Sequence, residues 1–505
     1  MNRRDIFKLA LTAQAAAEQP HSPQTPPAAV QRGDRGRMPN VLWVCTDQQR
    51  FDTIEGLNNP HVRTPYLKSF MGQAVTFTNA YVQSPVCSPS RACFLTGRYP
   101  RTTGLRANGQ RIRPTERLVP RILADFGYEC GLVGKLHLSP CANGRVEDRI
   151  DDGYKNNFWW SHDLSDGWAG RNMWLEWLKG QGLRWPADHT GPAWGVPIDA
   201  RYSQSAWCAN TAIRFMRQQR TYGPWLMSVN MFQPHHPFSP VREYFDRYDP
   251  TAMPDPAYRE GELESKPVYQ RVDHRGAYGG SGLSFVKTDP AMRRKITAAY
   301  YAMIEHADFE FGRMLKALED SGQAENTVVV FSADHGEMLG DHGIYLKGPY
   351  FYDCAIRVPL IIRWPRGYKA DLKVDALVEL ADLAPTLLEA AGIPPAPGMQ
   401  GRSLGPLLRG ERTTHRNSIY CEFFDANFQY DPTPMAMCVR TRTHKLNYYQ
   451  GLDIGELYDL EKDPGEFHNL WSDPGARAAK EAMLVEMAAR AIDTVDPLPE
   501  RHAPW

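Results

Sequence analysis

The sequence lacks a net charge and any long apolar run. Among its 505 residues, 58 are Lys or Arg and 58 are Asp or Glu, so the formal net charge is zero. A general nucleic-acid-binding protein carries a basic excess, and none is present here. No run of roughly 18 apolar residues occurs, which excludes a membrane-spanning helix. The mean hydropathy is -0.50.

The cysteines lack the spacing of a zinc site or of a disulfide framework. There are nine of them, an odd number, and no C-x-x-C pair occurs. Most are therefore expected to be small buried hydrophobic residues. The remaining composition is that of a globular protein, with 42% hydrophobic and 23% charged residues. The length suits two or three domains, or one large domain with a smaller appendage.

Residues 1–38 are predicted to precede the folded domain. Arg3 and Arg4, followed by a short Ala-rich stretch, resemble a twin-arginine export signal and indicate a periplasmic or exported protein. The alternative is a disordered tail on a cytoplasmic protein. Residues 18–38 are rich in Pro, Gln and Arg and indicate a linker, so folding is expected to begin near Asn40.

Short apolar runs alternate with helical patterns after this point. The runs predicted to be strands are Val41–Thr46, Cys130–Gly134, Trp225–Met231, Thr327–Ser332 and Val358–Arg363. The clearest helical pattern covers Ala291–Asp320, where apolar residues recur every three or four positions. Continuous apolar strands that alternate with helices predict an α/β fold with a large, mostly parallel sheet covered by helices on both faces.

The pattern changes after about Pro395, which leaves 39–395 as the main, catalytic domain. Residues 435–449 alternate in polarity and are predicted to form an exposed strand. An Ala-rich helix is predicted over Pro474–Thr494. We therefore expect a small C-terminal α+β domain over residues 396–505, with an antiparallel sheet and a helix.

Polar clusters follow four of the predicted strands. They are Asp47-Gln48, Lys135–His137, His235-His236 and Asp334-His335. A single Asp after a strand is usually a cap. Ligands of open parallel sheets, however, bind beyond the carboxyl ends of the strands, so four such clusters predict a functional site at that edge.

Cys87 opens the string CSPSRACFLTGR. Pro89 favours the first turn of a helix, which would put Cys87 at a helix N-terminus, where free backbone N–H groups and the helix dipole attract anions. Arg91 lies one turn later on the same face. A lone cysteine before a helix is usually structural, but the whole string is far more specific.

This string resembles the signature of the type I sulfatases, C/S-x-P-S-R-A-x-x-x-T-G, in the alkaline-phosphatase superfamily. Further matches along the chain are V-x-T-D-Q, G-K-x-H, P-H-x-P-F, D-H-G-E-x-L-G-D-H-G and E-L-Y-D-L-x-x-D-P-x-E-x-x-N-L. The resemblance implies an alkaline-phosphatase-like fold and hydrolysis of a sulfate monoester. It also implies that a maturation enzyme oxidises Cys87 to formylglycine (3-oxoalanine), whose hydrate provides the nucleophile.

The resemblance further implies one divalent metal, bound by Asp47, Gln48, Asp334, His335 and the modified Cys87. The family typically binds calcium through Asp-Asp and Asp-Asn pairs. The Asp-Gln and Asp-His pairs of this chain resemble those of choline sulfatases and phosphonate monoester hydrolases instead. Oxygen ligands suit Ca²⁺ or Mg²⁺ and imidazole favours Mn²⁺, and calcium is the expected ion.

The resemblance assigns roles to the charged residues of the motifs. Arg91 would hold the hydrated aldehyde and a sulfate oxygen, and Lys135 would bind sulfate. His137 would take a proton from the second hydroxyl to release sulfate, a role that suits a histidine because its ordinary pKa lies near neutrality. His235 would protonate the leaving oxygen.

Two more residues are candidates for contacts with the substrate. Lys347 follows Asp334 by thirteen residues, where the family has a lysine that contacts sulfate. Asn108 follows Cys87 by twenty-one residues, where some relatives have a substrate-binding asparagine, although Asn-Gly is also an ordinary turn sequence. His236 falls at a variable position of the motif and is expected to be structural.

Residues 159–194 contain seven of the 13 tryptophans, at positions 159, 160, 168, 174, 177, 185 and 194. They could form a helix core, or they could be exposed and stack on a sugar, an aryl group or a quaternary ammonium group. Residues 239–290 are rich in Pro, Tyr and charge and could cover the site. The substrate would be a sulfated carbohydrate, an aryl sulfate or a small alkyl sulfate.

Two other functions remain open on the same scaffold. The metal pairs also suit a phosphonate or phosphate mono- or diester hydrolase. Lys135 and His137 favour sulfate, because the phosphonate hydrolases have other residues in place of G-K-x-H. The third function is that of an inactive glycan-binding relative, against which the complete set of acid, base and cations argues.

Overall fold

The computed structural model describes residues 38–141, 146–162, 171–186, 193–218, 220, 223–426 and 429–498. The twin-arginine-like segment, most of the linker and Trp168 lie outside the described residues. The described residues belong to one compact unit. The domain boundary near residue 395 therefore stays a prediction, since no separation between two units is seen there.

The main sheet is mostly parallel, as predicted. The strands between residues 40 and 379 are β1 (Asn40–Thr46), β2 (Val75–Phe77), β3 (Ala80–Tyr81), β4 (Glu129–Gly134), β5 (Phe158–Trp160), β6 (Trp225–Met231), β7 (Thr327–Ala333), β8 (Leu360–Arg363), β9 (Leu372–Val374) and β10 (Val378–Glu379). Within the described residues, eight of them form one sheet in the order β5-β4-β6-β1-β7-β8-β2-β9. Every pairing from β5 to β7 is parallel, whereas β8 is antiparallel to β7 and β2.

Helices cover both faces of this sheet. Alternate residues of a strand point to opposite faces, and along β1 Val41 and Trp43 belong to one hydrophobic core, while Leu42 and Val44 belong to the other. The α-helices are Pro65–Met71, Cys87–Thr96, Pro100–Thr103, Val119–Asp125, Met173–Gly180, Gln204–Met216, Arg242–Phe245, Val268–Arg275, Ala277–Gly280, Pro290–Asp320, Asp353–Ile356, Leu383–Ala390, Gly405–Leu408 and Arg477–Asp493. Among these described helices, none combines the length and the apolar composition that a membrane crossing requires.

The long helix Pro290–Asp320 begins one residue before the predicted range. The Asp289 side chain accepts a hydrogen bond from the Met292 N–H at 2.7 Å, and Pro290 occupies the first turn. Both are favoured at helix starts, since a capping oxygen satisfies a free donor and proline has no N–H to satisfy.

The C-terminal sheet corrects one expectation. It is antiparallel and contains β11 (Ile419–Phe424), β12 (Met435–Arg440), β13 (His444–Tyr449) and β14 (Glu456–Asp459). The single strand expected over 435–449 is a hairpin of two strands, β12 and β13. It is not fully exposed either, because Val439 and Leu446 pack against Met483 of the helix Arg477–Asp493.

Candidate active site

The four polar clusters lie at the carboxyl ends of four neighbouring parallel strands. Asp47 follows β1, Lys135 follows β4, and Asp334 follows β7. The order β4-β6-β1-β7 brings these ends to one edge of the sheet. The side chains meet there, since the Lys135 ammonium donates to Asp47 Oδ2 at 2.5 Å. The position of the site follows directly from the sheet topology.

Cys87 is the first residue of the buried helix Cys87–Thr96. Its N-terminus points at the same edge, and the next backbone N–H, of Ser88, donates to Asn108 Oδ1 at 3.0 Å. The Ser90 hydroxyl donates to the Asp334 carbonyl oxygen at 2.5 Å, which fixes the helix against the end of β7. Asn108 is thus close to Cys87, and its carbonyl oxygen serves the helix end.

A histidine and a lysine flank the Cys87 thiol. Its Sγ lies 3.1 Å from His335 Nε2 and 3.3 Å from Lys347 Nζ. Burial raises the pKa of this thiol, but the charges of Lys135 and Lys347 outweigh burial and lower the pKa to about 7.

Arg91 contacts one oxygen of each of two carboxylates. Its Nε donates to Asp334 Oδ2 at 2.9 Å, and its Nη2 lies 3.3 Å from Asp47 Oδ2. Its Nη1 donates to the Lys135 carbonyl oxygen at 2.8 Å. Burial alone would raise the pKa of Asp47, but Lys135 and Arg91 hold it well below its ordinary value. Asp47 is therefore a carboxylate at neutral pH.

The other oxygen of each carboxylate faces His335. Asp47 Oδ1 and Asp334 Oδ1 lie 3.7 and 3.8 Å from His335 Nε2. The His335 Nδ1 must donate to the Gly336 carbonyl oxygen, 2.8 Å away, so Nε2 carries the lone pair of the neutral ring. The ligand atoms of these three residues and of Cys87 all lie within 4.8 Å of one another. This donor set fits one divalent cation.

Gln48 lies beside this cluster and is oriented by Glu337, a residue that the sequence analysis did not single out. Its backbone N–H donates to Asp334 Oδ1 at 3.0 Å, and its Oε1 accepts from Lys347 Nζ at 2.6 Å. Its Nε2 donates to Glu337, which also accepts from the Leu346 N–H at 2.6 Å. Glu337 thus positions both Gln48 and the residue before Lys347. The D-H-G-E string contains it and was the available signal.

His235 pairs with the same lysine. Its Nε2 lies 2.9 Å from Lys347 Nζ, and its Nδ1 lies 2.6 Å from the His236 carbonyl oxygen. Since a carbonyl only accepts, Nδ1 carries the proton and Nε2 accepts from the ammonium. Burial and the Lys347 charge lower the pKa of His235 well below its ordinary value. The His236 ring stacks on His235, with centroids 4.1 Å apart, and faces Tyr278 from the 239–290 segment at 5.6 Å.

A second missed residue, Glu147, positions the His137 segment. It accepts hydrogen bonds from the N–H groups of His137 and Leu138 at 2.9 and 2.8 Å, and from Trp160 Nε1 at 2.8 Å. His137 has a positive φ of 63°, a strained conformation that these bonds help to hold. Burial and the Lys135 charge lower the pKa of His137 well below its ordinary value. No sequence pattern pointed to Glu147.

The described tryptophans of residues 159–194 favour the helix-core alternative over stacking on a substrate. None of those that the structure describes is exposed. Trp174 and Trp185 belong to one hydrophobic core, and Trp159, Trp177 and Trp194 pack against it. Trp160 is buried and donates to Glu147. Trp174 and Trp185 meet edge to face, with ring centroids 5.2 Å apart. The short helix Met173–Gly180 cannot bury its apolar side alone, so these large rings fill the space between it and the sheet.

The family model described as Sulfatase matches residues 39–393, which is more than half of the chain. The chain belongs to the sulfatase family. A second family model, described as N-sulphoglucosamine sulphohydrolase, C-terminal, matches residues 340–492 of this sulfatase.

Individual relatives agree with this assignment. The sulfatase is 29% identical to an arylsulfatase of Clostridium perfringens over 450 residues, 86% of this chain and 90% of the relative. It is 28% identical to a choline-sulfatase of Rhizobium meliloti over 454 residues, 86% and 83% of the two chains. It superposes on the crystal structure of a phosphonate monoester hydrolase of Agrobacterium radiobacter with a TM-score of 0.78 at 26% identity, covering 91% of this chain and 97% of that chain. The sulfatase is thus a sulfuric ester hydrolase with an alkaline-phosphatase-like fold, which confirms the predicted family and fold.

Proposed function

We propose that this sulfatase hydrolyses sulfate monoesters through a formylglycine hydrate formed from Cys87. The observation that carries the proposal is the position of the Cys87 sulfur, at a buried helix N-terminus and 3.3 Å from the Lys347 ammonium. Attack on a sulfate ester needs a fixed nucleophile beside cations that hold the anionic oxygens. The helix start fixes the nucleophile, and Lys347 supplies one of those cations.

Two further cations suit the equatorial sulfate oxygens. The charged groups of Arg91 and Lys135 both reach Asp47 Oδ2 and are completely or almost completely buried. Charge–charge interactions are stronger in such a water-poor site than at the surface. We therefore assign sulfate binding to Arg91, Lys135 and Lys347. Asn108 is retained as a weaker substrate contact, since its oxygen is engaged by the helix end.

Asp47, Asp334, His335 and the oxidised Cys87 would hold a divalent metal, together with the Gln48 amide oxygen. When bound, the ion supplies positive charge that favours ionisation of the hydrated aldehyde and polarises a sulfate oxygen. Ca²⁺ is the proposed ion, because carboxylate and amide oxygens predominate in the set. Mg²⁺ and Mn²⁺ are the alternatives, and the imidazole favours Mn²⁺.

The two histidines are proposed to move protons in different steps. His137 is neutral at pH 7 because burial and Lys135 lower its pKa, so it can accept a proton. We assign it to the remaining hydroxyl of the hydrated residue, whose deprotonation releases sulfate and restores the aldehyde. His235 is neutral in the free enzyme for a similar reason. A bound sulfate ester would add negative charge, raise its pKa and allow it to protonate the leaving oxygen.

A phosphonate or phosphate ester hydrolase is the second candidate. Its support is the likeness to the phosphonate monoester hydrolase structure, together with the Asp-Gln and Asp-His pairs. Lys135 and His137 weigh against it, since the phosphonate hydrolases that this chain resembles have other residues in place of the G-K-x-H string. A binding-only relative receives no support from a site with this complete acid, base and cation set.

The substrate is proposed to be a sulfated carbohydrate, an aryl sulfate or a small alkyl sulfate. The test compares kcat/KM for an aryl sulfate, an aryl phosphate and an aryl phosphonate monoester on metal-loaded, matured protein. We expect the sulfate to be the best substrate. Cys87→Ala should abolish turnover. Cys93→Ser is the control and should retain turnover, because the buried Cys93 thiol donates to Gln83 and not to a residue of the proposed site. A preference for the phosphonate would favour the second candidate.

A further inference from the structure

A second cluster of metal-binding side chains lies beside the proposed site. One ligand atom each from His137, Cys141 and His162 lies within 4.8 Å of the other two. His137 and Cys141 belong to the segment after β4, and His162 follows β5, the parallel neighbour of β4. The His137 and His162 rings meet edge to face, with centroids 4.7 Å apart. The sheet topology therefore creates this cluster as it creates the first one.

The donor types differ from those of the first cluster. Two imidazoles and a thiol suit Zn²⁺ and other thiophilic ions, whereas Ca²⁺ and Mg²⁺ prefer oxygen. Around a tetrahedral Zn²⁺, N and S ligands lie about 3.5 Å from one another, so shifts of about 1 Å would close the present spacing. Such shifts are available to side chains, since the backbone segments already lie side by side.

One ring nitrogen of the cluster lacks a partner in the described part of the chain. His137 is only 7% exposed, and its Nδ1 makes no hydrogen bond to any residue that the structure describes. A buried polar atom without a partner is costly, and a bound ion would satisfy it. Cys141 and His162 are half-buried, so an ion can reach the cluster from solvent.

We propose that His137, Cys141 and His162 form a second metal site for a thiophilic divalent ion such as Zn²⁺, and that its occupation inhibits sulfate release. The inhibitory part rests on the proposed role of His137 as a base. A neutral imidazole has one lone pair. If Nδ1 binds the ion, Nε2 must carry the proton. If Nε2 binds it, that lone pair is used. Either way, the ring cannot accept a proton from the hydrated residue.

Metal binding can be measured without turnover. The Cys87→Ala protein is saturated with Ca²⁺ and titrated with Co²⁺, since this background removes the sulfur of the first cluster. A near-ultraviolet thiolate-to-cobalt absorption band is expected at one equivalent. Cys141→Ser and His162→Asn, each made in that background, should remove or strongly weaken it, and Cys93→Ser should leave it intact. Absence of the band, or its survival in Cys141→Ser, would overturn the metal site.

Inhibition is then measured on matured, Ca²⁺-loaded protein with an aryl sulfate. Zn²⁺ should inhibit turnover, and a zinc-selective chelator should restore it. Each variant is compared with its own zinc-free rate, and Cys141→Ser should need about 10–100-fold more Zn²⁺ for half-inhibition. Equal sensitivity would overturn the inhibitory role. Cobalt binding without zinc inhibition would uphold the metal site and contradict the proposed role of His137, so the two claims fail separately.

Discussion

Lys347 Nζ lies 3.3 Å from the Cys87 sulfur, although the two residues are 260 positions apart in the sequence. The same ammonium donates to Gln48 Oε1 at 2.6 Å and to His235 Nε2 at 2.9 Å. One side chain thus joins the proposed nucleophile, a proposed metal ligand and the proposed acid. Changes at any of these positions are therefore expected to be coupled, and single substitutions will not be additive.

Removal of a proposed metal ligand should abolish turnover. Asp334→Asn takes away the negative charge that Arg91 contacts and that the proposed metal would share. Exhaustive chelation should do the same to the wild-type protein, and added Ca²⁺ should restore the rate. Asp52→Asn is the matched control, since Asp52 pairs with Arg50 outside the cluster. A full rate after exhaustive chelation would contradict the proposed metal set.

His137→Ala should separate the two stages of the reaction. If His137 serves only sulfate release, attack on sulfur remains, and the alcohol product should appear as a burst near one equivalent of enzyme. Very slow turnover should follow, lower by about 10²–10⁴-fold. Rapid-quench measurement of the alcohol tests this. A missing burst with an equally slow first turnover would place His137 in the first stage.

His235→Ala should slow the first stage instead. No burst is expected, because loss of the proton donor slows the step that releases the alcohol itself. The defect should be largest for sugar sulfates and smallest for nitrophenyl sulfate, whose leaving group departs without a proton. The measurement is kcat/KM across leaving groups of increasing pKa. A defect that does not depend on the leaving group would contradict the assignment.

Glu147 should contribute to stability through the donors that it satisfies. Glu147→Gln replaces the oxygen that accepts from Leu138 with an NH₂ group, so one buried donor loses its partner. The expected loss is about 1–3 kcal/mol in the free energy of unfolding. Glu147→Ala should cost more, since His137 and Trp160 also lose their acceptor. The exposed Glu176→Gln is the control, and equal urea midpoints for all variants would contradict this account.

Asp273 should make stability fall as the pH rises. Burial raises its pKa to about 7, against about 3.9 in an unfolded chain. The protonated form therefore stabilises the fold fully below about pH 4, and this contribution is lost as the pH rises through 7. Asn cannot ionise and can keep the bond from the Gly279 N–H. The thermal midpoint of the wild type relative to Asp273→Asn should therefore fall between pH 4 and 7, and a constant difference would refute the raised pKa. The similarly buried Asp308 is present in both proteins and cancels.

The long central elements could be predicted because their pattern of apolar residues continues over nearly the whole element. Thr327–Ser332 is nearly all of β7, and Ala291–Asp320 is nearly all of the long helix. Strands of two or three residues, such as β3 and β10, carry too little pattern to be recognised. The run 435–449 predicts a single strand, because its alternation of polarity continues across the turn that makes it a hairpin.

The residues of the candidate site likewise divide into those that the sequence predicts and those that it does not. Asp47, Cys87 and Asp334 stand in motifs at strand or helix ends, so their convergence could be expected from the sequence. Glu147 could not be found, because it acts on the backbone of a segment ten residues away and belongs to no pattern. Tyr278 of the 239–290 segment could not be predicted either, since its ring lies 5.6 Å from that of His236 although 42 positions separate the two residues.

The mass of the peptide that contains Cys87 tests the central claim most directly. In protein produced with a formylglycine-generating enzyme, the side chain should lose sulfur and two hydrogen atoms and gain one oxygen. The fraction converted should equal the fraction of active sites, and Cys93 should keep its thiol. A preparation with full sulfatase activity in which Cys87 is entirely unmodified cysteine would contradict the account.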